Sequence, residues 1–401
     1  MNLSSLLSRF SEPETLKMAK LCRELRAQGF NVIDLSLGEP DFNTPEHIKE
    51  AAKKAIDENY SHYTPVPGYL ELREAICKKL KRDNGLDYTP QQIVASTGAK
   101  QSIANTMLAI LDEEDEIIIP TPYWVSYSEI ARFARAKVVF INATTENGFK
   151  ITPDQLEAAI TQKTKLFIFS TPCNPTGAVY TKDELEALSK VFEKHPDVYI
   201  ISDEIYEYIN YSNEDGSKKQ ESIAQFDAIK DRVIIVNGLS KGFAMTGWRL
   251  GYIAANAEIA KACEKIQGQM TSGTNSITQR AAITALDSSL APTYEMVKEF
   301  SRRRNRVKEL LAEIPGFTYT EPDGAFYVFP EVKSYFGKKA GDHVINTASD
   351  LSMYLLNESH VSTVAGDAFG APDNIRISFA NSMENIEEGF KRIKSGLANL
   401  K

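Results

Sequence analysis

Val233-Ile-Ile-Val-Asn-Gly-Leu-Ser-Lys-Gly-Phe-Ala-Met-Thr-Gly-Trp-Arg249 sets a run of β-branched residues against a loop of small residues that carries one lysine. The run 233–236 has the composition of a strand buried on both faces, and the glycines after it mark where the strand ends. Six other short apolar runs share that character, at 93–95, 116–119, 137–141, 166–170, 198–202 and 250–254. From about Thr44 to Lys261 they alternate with stretches of helical period. This is the pattern of an α/β domain with a mainly parallel seven-stranded sheet. Such sheets take ligands beyond the carboxyl ends of their strands, so functional polar residues are expected just after the apolar runs.

Downstream, residues 294–314 read as a long connecting helix, followed by short strands at 317–319 and 324–328 and a final helix near 384–397. That mixture predicts a smaller α+β domain. A chain of 401 residues exceeds what one hydrophobic core usually supports. The division expected is an N-terminal segment 1–45 packing with the small domain, a large domain 46–290 and a small C-terminal domain 291–401.

Composition excludes several function classes. The net charge is −8, and the basic cluster Arg302-Arg303-Arg304 lies among glutamates, as on a solvated helix face. No nucleic-acid footprint is expected. Four scattered cysteines and five histidines without ligand spacing predict neither a disulfide framework nor a zinc site. Residues 1–10 have no basic, apolar leader pattern and no stretch approaches a membrane span, so the expected setting is a reducing cytoplasm.

The polar residues after the apolar runs carry the chemistry. Lys241 follows run 233–236, and a lysine partly desolvated near other cations loses basicity toward nucleophilic use; alone, such a loop lysine reads first as ordinary surface charge. Asp203 follows run 198–202 and is placed to pair with a protonated heteroaromatic nitrogen, or to cap a helix. Asn174, in Asn174-Pro-Thr-Gly177, and Tyr206 offer donors to a phenolate oxygen, although the former stretch is also a common turn. Ser96-Thr-Gly98-Ala99-Lys100 opens a helix whose N–H groups suit a phosphate. Trp124 offers a face for stacking or for interior packing. Arg376, alternating with apolar neighbours in Asn374-Ile-Arg-Ile-Ser-Phe379, needs a carboxylate partner, either a substrate α-carboxylate or a structural one.

Together these parts are what a pyridoxal 5'-phosphate enzyme requires, at successive strand ends. In Leu37-Gly38-Glu-Pro-Asp41-Phe42, Tyr63 with Gly68 and Leu72-Arg73, Pro122-Tyr-Trp124, Asn174-Pro-Thr-Gly177, Ser202-Asp203-Glu-Ile-Tyr206, Ser240-Lys241 through Thr246-Gly-Trp-Arg249, and Arg376, the chain resembles a class I aminotransferase of pyridoxal-phosphate fold type I. Within that family it is similar to the bacterial aspartate aminotransferase subgroup. The resemblance implies that Lys241 forms an imine with the cofactor aldehyde and shuttles the proton. It further implies that Asp203 pairs with the ring nitrogen, Asn174 and Tyr206 with the ring oxygen, and that Trp124 stacks on the ring. Gly98, Ala99, Lys100, Ser240 and Arg249 match the phosphate contacts. Tyr63 matches a tyrosine that reaches the phosphate of the neighbouring subunit, which implies a homodimer with shared sites. Gly38 and Arg376 match contacts to the substrate α-carboxylate, with Trp124, Asn174 and Lys100 around the substrate.

The reaction implied is a ping-pong exchange between aspartate and 2-oxoglutarate, giving oxaloacetate and glutamate. Well-known aspartate enzymes use a partner-subunit arginine for the distal carboxylate, and residues 267–279 contain none; Lys100 matches the lysine that takes this task in the nearer subgroup. Glu14, in Ser11-Glu-Pro-Glu-Thr15, stands where relatives carry a small hydroxyl residue, and is expected to oppose a distal carboxylate or to pair with Lys100. Alanine, aromatic, kynurenine and prephenate or arogenate transamination, and β-elimination, use the same core constellation. A pyridoxal-phosphate-binding regulatory domain is the alternative of another class, and the few residues before Gly38 leave it no DNA-binding domain.

Overall fold

The computed structural model describes residues 3–12 and 14–401. Helix α1 (Glu14–Ala27) leads to the short strand β1 (Ile33–Asp34), then to α2 (Glu46–Asp57) and α3 (Leu70–Lys79). Seven strands follow: β2 (Ile93–Ser96), β3 (Glu116–Thr121), β4 (Lys137–Asn142), β5 (Thr164–Ser170), β6 (Tyr199–Asp203), β7 (Val233–Gly238) and β8 (Gly251–Ala254). They form one sheet in the order β2-β8-β7-β6-β5-β3-β4. All neighbours are parallel except those of β8, which runs antiparallel to both β2 and β7. Each of the seven apolar runs read from the sequence thus becomes a strand of this sheet.

Continuous hydrophobic strands arise because both faces are covered. Along β7, Ile235 packs into one core with Phe167 and Ile200, while Ile234 and Val236 pack into a second with Leu166 and Ile201. Successive side chains point to opposite faces, so alternation of polar residues disappears when neither face meets water. Helices α4 (Ala99–Ile110) and α5 (Ser126–Phe133) begin just past the carboxyl ends of β2 and β3.

A third core gathers Ile33 and Leu35 with Phe300, Phe326, Val328 and Ile377. Its helix Ala291–Ala312 runs to a three-stranded antiparallel sheet of β9 (Tyr327–Val328), β13 (Val364–Ala365) and β14 (Ile375–Ser378). A hairpin of β10 (Lys339–Ala340) and β11 (His343–Val344) and the strand β12 (Val361–Ser362), paired with β1, complete it. The stretch 324–328, read as one strand, is strand only at Tyr327–Val328. Gly324 bridges to Asn210 and the Ala325 N–H donates to Ile209 O at 2.8 Å, so the first residues are drawn toward the turn after β6.

Candidate active site

Antiparallel β8 explains how residues from six of the seven strands converge. Gly251 opens β8 opposite Gly238, the end of β7, and opposite Ser96, the end of β2. The residue two before it, Arg249, therefore lies at the same sheet edge as the residues that follow the parallel strands. Arg249 adopts φ +56°, a strained setting for a non-glycine residue. Its guanidinium packs closely against Gly98, where a Cβ would stand 2.2 Å from Nη2. Gly98, itself at φ +84°, starts α4.

Along this edge runs a cleft of about 260 Å³. Of the residues singled out in the sequence, Gly38, Ala99, Lys100, Trp124, Asn174, Asp203, Tyr206, Ser240, Lys241, Arg249 and Arg376 line it. Gly98 contributes through its contact with Arg249. Tyr63 does not enter the cleft of its own chain, being 99% exposed.

Two groups in the cleft are driven from their ordinary ionisation. Asp203 is buried, and that burial raises its carboxyl pKa to about 6, against hydrogen bonds from the Tyr127 hydroxyl (2.6 Å) and the Ile205 N–H (3.3 Å) and the attraction of Lys241. No helix follows Asp203 for it to cap. Lys241 donates from Nζ to Gly38 O at 2.5 Å. Loss of water lowers its pKa to about 8; Glu39 and Asp203 oppose this and Arg376 and Arg249 assist it. A cation and an anion are thus held beside each other, each weakened by burial.

Arg376 is 2% exposed. It donates from Nη1 to Asn174 Oδ1 (2.9 Å) and from Nη2 to Ser36 O (2.6 Å), and lies over the Tyr327 ring at 4.5 Å. Its Nε has no hydrogen-bond partner, and no carboxylate forms an ion pair with it among the described residues. A buried guanidinium bound only to neutral acceptors is suited to receive an anion. Because Asn174 accepts through Oδ1, its amide N–H groups remain free to donate. Lys100 sits over the Trp124 ring at 4.9 Å; loss of water around its ammonium, then nearby Arg249, pulls its pKa below the ordinary lysine value.

One expectation fails. Glu14 does not line the cleft; it pairs with Lys17 at 3.1 Å on the surface of α1, and the next two residues, Thr15 and the largely exposed Leu16, border the cleft instead. Thr15 is then the small hydroxyl residue at this end of the site. Sequence reasoning also missed Tyr127, Ser170 and Tyr327. Tyr127 stands in the first turn of α5, three residues after Trp124, and its ring meets that of Trp124 edge-on at 5.5 Å. Tyr327 comes from a separate sheet and hydrogen-bonds Tyr206 hydroxyl to hydroxyl at 2.8 Å.

A buried lysine and a buried aspartate at the carboxyl edge of the seven-stranded sheet share one cleft with an arginine from the three-stranded sheet, a set suited to an enzyme that handles amino acids. A family model described as aminotransferase class I and II matches residues 31–393, and the chain belongs to that family. It is 44% identical to an aspartate aminotransferase of Bacillus subtilis (strain 168), over 98% of each chain. It is also 44% identical to an aspartate/prephenate aminotransferase of Cereibacter sphaeroides, over 99% of each. Among solved structures, the aspartate aminotransferase of Rhizobium meliloti superposes with a TM-score of 0.95 at 39% identity over both whole chains. That of Thermus thermophilus, solved with maleate, gives 0.91 at 37% identity, covering 99% of this chain and 100% of the other.

Proposed function

We propose that this chain is a pyridoxal 5'-phosphate-dependent aspartate aminotransferase, exchanging the amino group of aspartate with 2-oxoglutarate in two half-reactions in one cleft. The observation that carries the reading is the arrangement of Lys241, Asp203 and Arg376: a weakened base, a buried acid and an anion receptor around one space. The residues fit the cofactor. Asp203 receives only neutral donors besides the nearby charge of Lys241, which suits a protonated ring nitrogen. The guanidinium of Arg249 close against Gly98 and the start of α4 suit a phosphate. When bound, pyridoxal 5'-phosphate supplies an aldehyde that takes up the amine and a ring that takes up the electrons released at Cα.

The chain's own residues do the rest. Arg376 grips the α-carboxylate and so orients the α-proton toward Lys241, the general base whose pKa near 8 matches neutral operation. Asp203 keeps negative charge behind the ring. Asn174 and Tyr206 donate to its oxygen, with Tyr206 held by Tyr327. Trp124 would pack on the bound ring, and Ser240, Arg249, Gly98, Ala99 and Lys100 would hold the phosphate. Gly38 anchors the free lysine. Lys100, beside Thr15 at the open end, attracts a distal carboxylate, and the maleate of the Thermus relative is a ligand of that dicarboxylate class. A second amino acceptor, the 2-oxo acid prephenate, is favoured by the name of the Cereibacter relative.

Three further features belong to the proposal. The domains are 1–45 packing with the small domain, 46–290 and 291–401. The protein is a cytoplasmic homodimer: Ile56, Tyr63, Leu70 and Met270 leave exposed apolar surface around the loop that carries Tyr63, which would enter the partner's site. The test is absorption spectroscopy of purified enzyme loaded with the cofactor. Aspartate should convert the visible band to that of the amine form, and 2-oxoglutarate should restore it. Failure of every amino acid to do so defeats the reading, while a stronger response to an amino donor other than aspartate reassigns the substrate.

A further inference from the structure

Beneath the cleft lies a second buried polar cluster that the chemistry above does not use. Lys79, at the end of α3 and 1% exposed, forms an ion pair with Glu207, 3% exposed. Lys79 also donates to Asn84 Oδ1 (2.9 Å), and Asn84 donates to Glu207 Oε2 (3.2 Å). Asn237, the penultimate residue of β7, donates to Glu207 Oε1 at 2.7 Å and accepts the Gly238 N–H at 2.7 Å. Both carboxylate oxygens of Glu207 are therefore engaged.

The cluster joins two turns. Glu207 belongs to the turn after β6 that carries Asp203 and Tyr206; Asn237 leads into the turn that carries Lys241. The same two turns touch at two glycines. A Cβ on Gly238 would lie 3.3 Å from Ile205 Cδ1, and one on Gly242 would lie 2.6 Å from Tyr208 Cδ2. Tyr208 is fixed in turn by its hydroxyl, which donates to Asp83 at 2.5 Å. A buried ion pair is a poor source of net stability and a good source of unique geometry.

We propose that Glu207, held by Lys79 and Asn84 and linked to Asn237, is a positioning residue that fixes the spacing between the turn of Asp203 and Tyr206 and the turn of Lys241. It touches neither substrate nor cofactor. The inference rests on the catalytic reading above, since it concerns the alignment of those groups; misplacement by about 1 Å costs on the order of 100-fold in rate.

Asn237→Ala cuts the link and leaves the ion pair intact. In cofactor-free protein, the pH dependence of Lys241 labelling by trinitrobenzenesulfonate, followed by peptide mapping, reads the lysine's surroundings, which hold Glu39, Asp203, Arg249 and Arg376. Half-labelling near pH 8 in the unaltered protein should move upward by about one unit as the loosened turn admits water. In the loaded enzyme kcat should fall about tenfold with KM within a factor of two. The paired change Lys79→Met with Glu207→Gln, which keeps an amide oxygen facing Asn237, should restrict the loss in kcat to about threefold. An Asn237→Ala protein with unchanged labelling and kcat overturns the proposal. So does a loss explained wholly by a lower melting temperature with unaltered labelling. The labelling needs no bound cofactor, so a failed cofactor assignment and a failed positioning role give different results.

Discussion

The large sheet supports two buried charge clusters, and they differ in completeness. Both oxygens of Glu207 have donors and the cation Lys79 has its anion. In the cleft, Asp203 is held near pKa 6 by burial, Lys241 near 8, and Arg376 Nε has no partner. Folding alone favours satisfied groups, so the incomplete cluster is the one shaped for molecules that arrive later. Neither burial nor one unpartnered atom marks the active site alone, since Glu204 Oε2 also lacks a donor; the cleft adds open space shared by Lys241, Asp203 and Arg376.

The comparison can be broken by removing one charge from each cluster. Asp203→Asn should leave the fold intact, since the new amide still accepts from Tyr127, and lower kcat by about two to three orders of magnitude through lost electrostatic support of the ring. Circular dichroism and steady-state rates report the two effects separately. Lys79→Met alone strips Glu207 of its cation and should destabilise the protein by about 3–5 kcal/mol in denaturant unfolding. If Asp203→Asn unfolds the protein and Lys79→Met does not, the two clusters have been assigned the wrong way round. The smallest effect sharpens the cleft itself. Lys100→Ser should raise KM for aspartate about tenfold while leaving KM for alanine within about twofold; equal losses for both donors remove Lys100 from distal-carboxylate recognition.

The sequence revealed one cluster far better than the other. Strands covered on both faces leave unbroken apolar runs, and the residues beyond them, Asn174, Asp203 and Lys241, inherit their place from the sheet edge. Those positions could be read in order along the chain. Tyr327 could not, because it reaches Tyr206 from β9 in a different sheet. Nor could Lys79 and Glu207, whose meeting depends on α3 packing beneath the turn after β6. Glu14 was misjudged by a single position: the next residue, Thr15, borders the cleft instead. Local pattern fixes which strand end a residue follows. Contacts between elements decide which side chains complete it.

The central claim is that Lys241 is the residue that bonds to the cofactor. Borohydride reduction of the loaded protein, followed by digestion and mass spectrometry, tests it directly. The account predicts a pyridoxyl adduct on the peptide that contains Leu239-Ser-Lys241-Gly-Phe243 and none after Lys241→Ala. An adduct on Lys79 or Lys100, or no adduct at all, would contradict it.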